Sequence, residues 1–210
     1  MKRGRWTILS IALLAAFGLV MVGCGGDDDG GSGGGGGSVE ALPASACPGA
    51  IVKGDADPDY LIVSDLPLQG ASRPQTEQMV EAIKFILKQR NYKAGDKNIG
   101  FQSCDDATAQ AASWDPAKCK SNAEAYAANA KVLGIVGTFN SGCAKVVIPI
   151  VNPEGIAMIS PANTYVGLTQ GGPVEAGEPD KYYPSGKRNY ARVVAADNFQ
   201  GPALATFAQK

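Results

Sequence analysis

The alternation of short apolar runs with helical patterns constrains the fold of this chain more than any other feature. Apolar runs typical of buried strands occupy residues 59–66, 98–103, 131–139, 155–161 and 189–197. Apolar residues recur at helical spacing in residues 74–90 and 115–130, and Pro202 begins a last predicted helix. Helices between short strands predict βαβ units with right-handed crossovers, and therefore a parallel sheet with helices on both faces. The predicted fold class is α/β, with three layers of the Rossmann-like or flavodoxin-like kind.

Two stretches fit this alternation poorly. Residues 143–155 should hold the third helix, but Pro149 lies inside them, so we expect a short or kinked helix there. Residues 165–188 contain glycines, prolines and charges without periodicity, which indicates a long surface loop.

The N-terminal part of the chain has the pattern of an export signal. Three basic residues within the first five positions precede an apolar run from Ile8 to Val22. The sequence LVMVGC, which ends at Cys24, resembles a bacterial lipobox, whose cysteine is lipidated and becomes the mature N-terminus. The alternative is a plain secretory signal with an incidental cysteine. Residues 1–24 are therefore the predicted lipoprotein signal, and the glycine-rich residues 25–54 are a predicted flexible linker.

The charge balance and the lack of histidine exclude several kinds of function. The formal net charge is -1 and none of the 210 residues is histidine. A nearly neutral chain has no sign of a polyanion-binding surface, so nucleic acid is not an expected partner. Without histidine the chain cannot form Ser-His or Cys-His nucleophile pairs or a histidine-ligated metal site. It also lacks a dinucleotide-binding glycine motif, a P-loop and an EF-hand pattern, and we expect neither a cofactor nor a metal.

Four cysteines follow Cys24, and an even number in an exported chain suggests two disulfides. These four are Cys47, Cys104, Cys119 and Cys143. Three pairings are possible and the sequence does not choose among them. The short loop between Cys104 and Cys119 favours that pair, which would leave Cys47 to bond with Cys143.

Polar residues follow the first four predicted strands, at the edge where doubly wound sheets bind their ligands. The stretches are PLQGASRP, CDDAT, NSGC and PANTY, in chain order. Ser141 and Thr164 lie in the last two, where each either caps the next element or helps the free N–H groups there to hold an anion. Asp105 and Asp106 are interpreted as a turn or a helix cap, because neighbours along a chain rarely converge on one substrate.

A catalytic role for Ser141 would need a base, and Lys145 lies one helical turn further on. A nucleophile elbow of the G-x-S-x-G kind is absent, because Phe139 and Cys143 stand where its glycines would be. We therefore expect no catalytic residues.

Two segments resemble the extracytoplasmic solute-binding proteins of ABC importers, type I fold, branched-chain amino-acid class. They are GTFNSGCAKVVIPIVNPEGIAMISPANTYVGLT, from residue 137, and YARVVAADNFQGPALATFA, from residue 190. The segment YYPSGKRNYARV resembles the actinobacterial lipoprotein branch of that family. The resemblance implies that residues 55–210 are the N-terminal lobe of a periplasmic binding protein-like I fold, with the chain stopping before the second lobe.

The resemblance also implies a function and a location. The protein would capture a small amino acid of the branched-chain type, or a related amide or polar solute, and present it to ABC permease subunits without any chemistry. It would be exported, and a lipid anchor would hold it at the outer face of the cytoplasmic membrane or in the periplasm. A ligand-sensing receptor module of the same fold is the alternative, and a Ser-Lys hydrolase is a third possibility.

The same resemblance assigns the ligand contacts. Ser141 and Thr164 would hold the carboxylate of an amino acid, and the backbone carbonyl of Ala162 would take its ammonium. Asn163 replaces a small residue and would add a polar contact, and Asn140 completes this part of the predicted site.

Arg73 would lie near the side-chain pocket of that family. An arginine there would indicate a more polar or anionic ligand than leucine or valine. The alternative is a loop arginine that faces solvent.

Overall fold

The computed structural model describes residues 39–210. The predicted signal segment, the lipidation site Cys24 and residues 25–38 of the predicted linker lie outside the described residues. Within residues 39–210, the helices are too short or too polar for any of them to cross a lipid bilayer.

The described chain contains eight strands and four α-helices. The strands are β1 (Tyr60–Leu66), β2 (Lys93–Ala94), β3 (Lys97–Asp105), β4 (Ala107–Thr108), β5 (Ser113–Trp114), β6 (Val132–Gly137), β7 (Ala157–Ser160) and β8 (Tyr190–Arg192). The helices are α1 (Arg73–Gln89), α2 (Pro116–Ala127), α3 (Ser141–Val151) and α4 (Asp197–Ala208). Two 3-10 turns lie at Val166–Leu168 and Asp180–Tyr182.

Six of the strands form one sheet in the order β2-β3-β1-β6-β7-β8. Every neighbouring pair is parallel except the β2–β3 hairpin, which is antiparallel. The parallel strands thus follow the order second, first, third, fourth, fifth, which is the flavodoxin-like arrangement of a doubly wound fold. The predicted α/β class is confirmed. Strands β4 and β5 form a separate antiparallel hairpin after β3.

One face of the sheet is well covered by helices. Leu61 and Val63 of β1 are fully buried in a core that includes side chains of α2 and α3. On the opposite face, α1 covers Leu66 and Phe101 mainly through Val80. The alternation of side chains along β1 therefore divides the core into two layers, as expected for a strand buried on both sides.

The sheet face on which α1 packs is not covered by a helix of the described chain beyond the central strands. Ile159 of β7 is 48% exposed and Val193, just after β8, is 73% exposed. Helix α4 buries none of its side chains, so it does not cover them. Only part of the third layer predicted from the alternation is present in the described chain.

The C-terminal elements differ from the prediction. The fifth predicted strand, residues 189–197, is only three residues long as β8. The last helix begins at Asp197 rather than at Pro202. The N–H groups of Phe199 and Gln200 donate to the carbonyl of Ala196, which starts the helix before Pro202. Pro202 then removes one N–H donor in the second turn of an exposed helix.

The structure also resolves the two stretches that fitted the predicted alternation poorly, the one around Pro149 and residues 165–188. Pro149 lies in the last turn of α3, which ends at Val151. Residues 165–188, predicted as a surface loop, contain both 3-10 turns and three fully or nearly fully buried side chains, Leu168, Tyr182 and Tyr183. These side chains join the main core, so this segment is packed onto the domain rather than lying free on its surface.

The preferred disulfide pairing was wrong. Cys47 bonds to Cys104, and Cys119 bonds to Cys143. Cys104 lies in the sheet at the end of β3, next to the N-terminal segment, whereas Cys119 lies on α2, which packs against α3. The short loop between Cys104 and Cys119 did not pair them, because Cys104 on β3 bonds to the N-terminal segment and Cys119 on α2 bonds to α3.

The second part of the predicted linker, residues 25–54, is packed against the domain. This corrects the predicted boundary between linker and domain. Leu42, Ala46 and Cys47 are at most 4% exposed. Asp105 N–H donates to the carbonyl of Ala46 at 3.0 Å, and Val52 forms a bridge with Phe101 of β3. Residues 39–52 therefore form an ordered strap along β3, and the packing explains why Cys47 meets Cys104.

Candidate functional site

The carboxyl ends of β1 and β6 lie side by side near the centre of the sheet. From β1, the chain proceeds to β3 on one side, and from β6 it proceeds to β7 and β8 on the other. Loops that leave two neighbouring strands in opposite directions open a crevice, which is the usual ligand site of a doubly wound sheet. The predicted stretches NSGC and PANTY follow β6 and β7 at this edge.

Two glycines allow close packing at the crevice. A Cβ atom on Gly137 would lie 2.5 Å from the carbonyl oxygen of Asp65. A Cβ atom on Gly142 would lie 2.4 Å from the ring of Trp114. Only glycine fits at either position, so the chain after β6 passes directly over the end of β1 and the β5 tryptophan packs on the first turn of α3.

Ser141 joins the two loops of the predicted site. It is the first residue of α3, and its Oγ accepts a hydrogen bond from the N–H of Tyr165 at 3.3 Å. The preceding residue, Asn140, caps α3 only by its backbone conformation, without a side-chain hydrogen bond. Ser141 therefore does not cap its own helix. Within residues 39–210 its hydroxyl has no acceptor, and it stands at a helix N-terminus, which favours an anion.

Thr164 and Ala162 have unused polar groups at the same edge. Thr164 is half-buried, and within residues 39–210 neither its hydroxyl nor its N–H makes a hydrogen bond. The N–H of Ala162 donates to Ser160 Oγ at 3.1 Å, whereas no donor in the described chain reaches its carbonyl. Asn140 Oδ1 is buried and has no partner there either. The site thus holds donors at Ser141 and Thr164 and acceptors at Ala162 and Asn140.

The predicted ligand contact at Asn163 is contradicted by its burial. Asn163 is 0% exposed. Its Nδ2 donates to the carbonyl of Phe139 at 3.0 Å, and its Oδ1 accepts from the Tyr190 hydroxyl at 3.0 Å. Both ends of the amide are used inside the protein, so Asn163 connects the loops after β6 and β7 and holds them in place.

Two residues missed by the sequence reasoning shape the same turn. Ser160 Oγ donates to the carbonyl of Thr138 at 2.8 Å and accepts the N–H groups of Ala162 and Asn163. Arg192 donates to the carbonyl of Asn163 at 3.2 Å. A serine followed by Pro-Ala-Asn is a recognisable turn signal, since serine often bonds the backbone two or three residues on. Nothing in the sequence pattern placed Arg192 beside this turn.

Arg73 lies on the surface of α1. Its Nε donates to Glu77 Oε1 at 2.7 Å, and its side chain is 59% exposed. The geometry favours the solvent-facing alternative, because the guanidinium pairs with its own helix.

Lys145 is unsuited to act as a base for Ser141. Its Nζ donates to Glu175 Oε1 at 2.6 Å and lies 3.9 Å from the centre of the Tyr165 ring. Burial opposes the charge, but the hydrogen bond to Glu175 and the nearby negative charges outweigh it and raise the pKa of Lys145. A lysine held in its charged form cannot accept a proton from a serine, and this argues against the Ser-Lys hydrolase.

Glu178 anchors the segment 165–188 to α3. Its carboxylate has no exposed side-chain area and lies 3.6 Å from Lys145 and 3.4 Å from Lys181. The hydroxyls of Tyr165 and Tyr182 both donate to it. Burial raises its pKa, but these hydrogen bonds outweigh burial and lower the pKa of Glu178 to about 2.

We expect acid to weaken the protein through Glu178. A carboxylate whose pKa is lower in the folded state stabilises the fold above its unfolded pKa, here 4.5, and loses that contribution as the pH falls towards 2. A Glu178→Gln variant should therefore be less stable than the native protein at pH 7, and the difference should shrink between pH 4.5 and pH 2. Urea midpoints of both proteins over this range measure it. Glu77→Gln, on the exposed face of α1, is the control, and a gap for Glu178→Gln that does not change with pH would contradict the assignment.

Comparison with known proteins identifies the fold. No family model matches the sequence, and no curated protein matches it either. A leucine-binding protein of Thermotoga maritima superimposes with a TM-score of 0.57 and 22% identity, covering 72% of this chain and 37% of that one. A branched-chain amino acid ABC transporter protein of Rhodospirillum rubrum superimposes with a TM-score of 0.52 and 22% identity, covering 71% of this chain and 38% of that one.

A solute-binding protein of R. palustris in complex with benzoate is also similar. It gives a TM-score of 0.54 at 22% identity, with 69% of this chain and 35% of that chain covered. The chain thus spans well under half the length of the solved structures it matches. Residues 39–210 have the fold of one lobe of a periplasmic binding protein-like I protein.

Proposed function

We propose that residues 55–210 are the N-terminal lobe of an extracytoplasmic solute-binding protein that takes an amino acid of the branched-chain type for import by an ABC permease. The observation that carries the proposal is the junction at Ser141. Its Oγ accepts the N–H of Tyr165 at 3.3 Å, which holds the α3 N-terminus next to Thr164. Two hydroxyls and the free N–H groups of a helix start then lie at one edge of the crevice and match the carboxylate of a ligand.

The acceptors at the same edge favour an amino acid over other carboxylates. The carbonyl of Ala162 and the buried Oδ1 of Asn140 have no partner among residues 39–210. An ammonium group supplies the donors that these two oxygens lack. The similar solved structures include a leucine-binding protein and a protein bound to benzoate, whose common chemical feature is a carboxylate.

The proposed function is binding without catalysis. The site offers no histidine, and Lys145 is occupied by Glu175. A lipid anchor at Cys24 would keep the protein at the outer face of the membrane, next to its permease.

The ligand class is tested with leucine and two analogues that each lack one charged group. The full gene product is titrated by calorimetry with leucine, with 4-methylpentanoate, which lacks the ammonium, and with 3-methylbutylamine, which lacks the carboxylate. We expect leucine to bind and both analogues to bind much more weakly, since each leaves buried polar groups unpaired. Benzoate serves as the second carboxylate.

Each outcome bears on a different part of the proposal. Binding of benzoate and 4-methylpentanoate as tight as that of leucine would contradict the role of Ala162 and Asn140. Failure of every carboxylate to bind would contradict the role of Ser141 and Thr164.

A further inference from the structure

Four buried oxygen atoms beside the crevice have no hydrogen-bond partner in the described part of the chain. They belong to Asp65, Asp106 and Asn122, and all three residues are 0% exposed. The atoms are Oδ2 of Asp65, both carboxylate oxygens of Asp106 and Oδ1 of Asn122. We call these three residues the oxygen cluster. Unpaired buried acceptors are rare in folded proteins, and each needs a physical reason.

The fold brings the oxygen cluster together from three elements. Asp65 lies near the end of β1, opposite Cys104 in the parallel register with β3, and Asp106 directly follows β3. Asn122 lies on α2, and its Nδ2 donates to Asp65 Oδ1 and to the carbonyl of Asp105, both at 2.9 Å. These two acceptors fix the orientation of the amide, so its oxygen is the atom left without a partner.

Asp106 and its neighbour Asp105 have different surroundings. Asp105 accepts hydrogen bonds from the N–H groups of Leu68 and Ala107 and from the side chain of Gln69, so it fits the turn predicted from the sequence. The carboxylate of Asp106 accepts none within residues 39–210, although it is completely buried. The interpretation of both aspartates as a simple turn or cap therefore fails for Asp106.

Few hydrogen-bond donors reach the oxygen cluster within residues 39–210, and burial outweighs the positive charge of Lys118 that acts on both aspartates. Within residues 39–210, two side chains donate to the carboxylates of the oxygen cluster. One is Asn122, and the other is Tyr126, whose hydroxyl lies 2.9 Å from Asp65 Oδ1. Burial, and then the neighbouring carboxylates, raise the pKa of Asp106, and burial raises the pKa of Asp65. An ionised carboxylate without a partner is strongly unfavourable to bury.

A soft metal does not fit this place. A carboxylate oxygen of Asp106 and the sulfurs of Cys119 and Cys143 all lie within 4.8 Å of one another. The two sulfurs are bonded to each other, so they supply no thiolate. The remaining donors are all oxygen atoms, which prefer hard cations.

We propose that the oxygen cluster of Asp65, Asp106 and Asn122 binds a hard divalent cation of the Ca²⁺ type. One such ion neutralises both carboxylates and accepts lone pairs from all four unpaired oxygens. Ca²⁺ tolerates irregular sets of carboxylate and amide oxygens, whereas Mg²⁺ requires near-octahedral geometry and retains water. The ion would tie β1, the end of β3 and α2 together, and the inference does not rest on the proposed function.

The test uses the full chain after treatment with a chelator. Ca²⁺ should raise the thermal midpoint progressively with concentration, because the ion binds the folded state alone. Mg²⁺ and Na⁺ at equal concentrations should have smaller effects. Tb³⁺ is a luminescent stand-in for Ca²⁺, and excitation of tyrosine should sensitise one bound Tb³⁺, because the Tyr126 hydroxyl lies 2.9 Å from Asp65 Oδ1. Added Ca²⁺ should displace this signal.

Asp106→Asn is the decisive variant, since it removes the charge at nearly constant volume and should remove both responses. Asp65→Asn is the second variant, should the first not fold. Asp96→Asn is the matched control, because the Asp96 side chain is 83% exposed and pairs with Lys97 on the surface. A native chain without a Ca²⁺-dependent midpoint and without a saturable Tb³⁺ signal overturns the proposal. So does an Asp106→Asn chain that responds to both ions like the native one.

Discussion

Replacing both Ser141 and Thr164 by alanine is expected to abolish binding of a leucine-type ligand and to leave the protein folded. A hydrogen bond to a charged group contributes about 1.5–3 kcal/mol. Losing two such bonds to the carboxylate should therefore weaken binding roughly 100- to 10,000-fold. The folded state loses only one long hydrogen bond, the 3.3 Å contact between Tyr165 N–H and Ser141 Oγ. Calorimetric titration of the full gene product with leucine measures the affinity.

The matched control replaces two hydroxyls that lie away from the crevice. Ser121 and Thr206 are exposed, and each donates only to a carbonyl of its own helix. The Ser121→Ala, Thr206→Ala protein should bind leucine like the native one. Circular dichroism reports folding of both double variants. An unchanged affinity in the folded Ser141→Ala, Thr164→Ala protein would remove these residues from the site.

Replacing Cys119 and Cys143 by alanine is expected to destabilise the protein strongly. The bond between them joins α2 to α3 and closes a separation of 24 residues. Both residues are 0% exposed, so the change also leaves space in the core. Removing a native disulfide from a small domain typically costs about 2–5 kcal/mol. Urea unfolding of the native and variant proteins measures the loss.

The same variant should weaken ligand binding, because Cys143 lies in the first turn of α3, two residues after Ser141. The Cys47→Ala, Cys104→Ala protein is the comparison. The disulfide that it lacks closes a longer separation of 57 residues and joins the strap to β3. We expect it to lose stability and to keep its leucine affinity under conditions where it is folded. Equal stability of the native and Cys119→Ala, Cys143→Ala proteins would contradict the prediction.

Local patterns predicted most of the architecture, because burial periodicity is a property of neighbouring residues. An aspartate directly before a proline, as at Asp115 and Pro116, is a local start signal for a helix, and the Asp115 carboxylate accepts from Lys118 N–H at 2.9 Å at the start of α2. Strands β4 and β5 have only two residues each, which is too few to show a period. Their hairpin was accordingly missed.

The parts that sequence could not predict depend on contacts between distant segments. Cys47 meets Cys104 only because residues 39–52 lie along β3, and composition had assigned those residues to a linker. Asn163 and Thr164 are neighbours of similar polarity, yet one is fully buried and the other is half-buried. Which of them faces the crevice is decided by Tyr190 and Phe139, whose contacts with Asn163 span 27 and 24 residues.

The strap along β3 also determines how the domain would carry mechanical load. Tension applied on the N-terminal side of Val39 reaches Cys47 and passes through its disulfide directly to Cys104. The backbone between these cysteines, which includes β1 and α1, is bypassed and bears none of that tension. Only the few residues before Cys47 can be peeled from the domain. A pull on the N-terminus would therefore strain the β3 region first and leave β1 unloaded by the pulled chain.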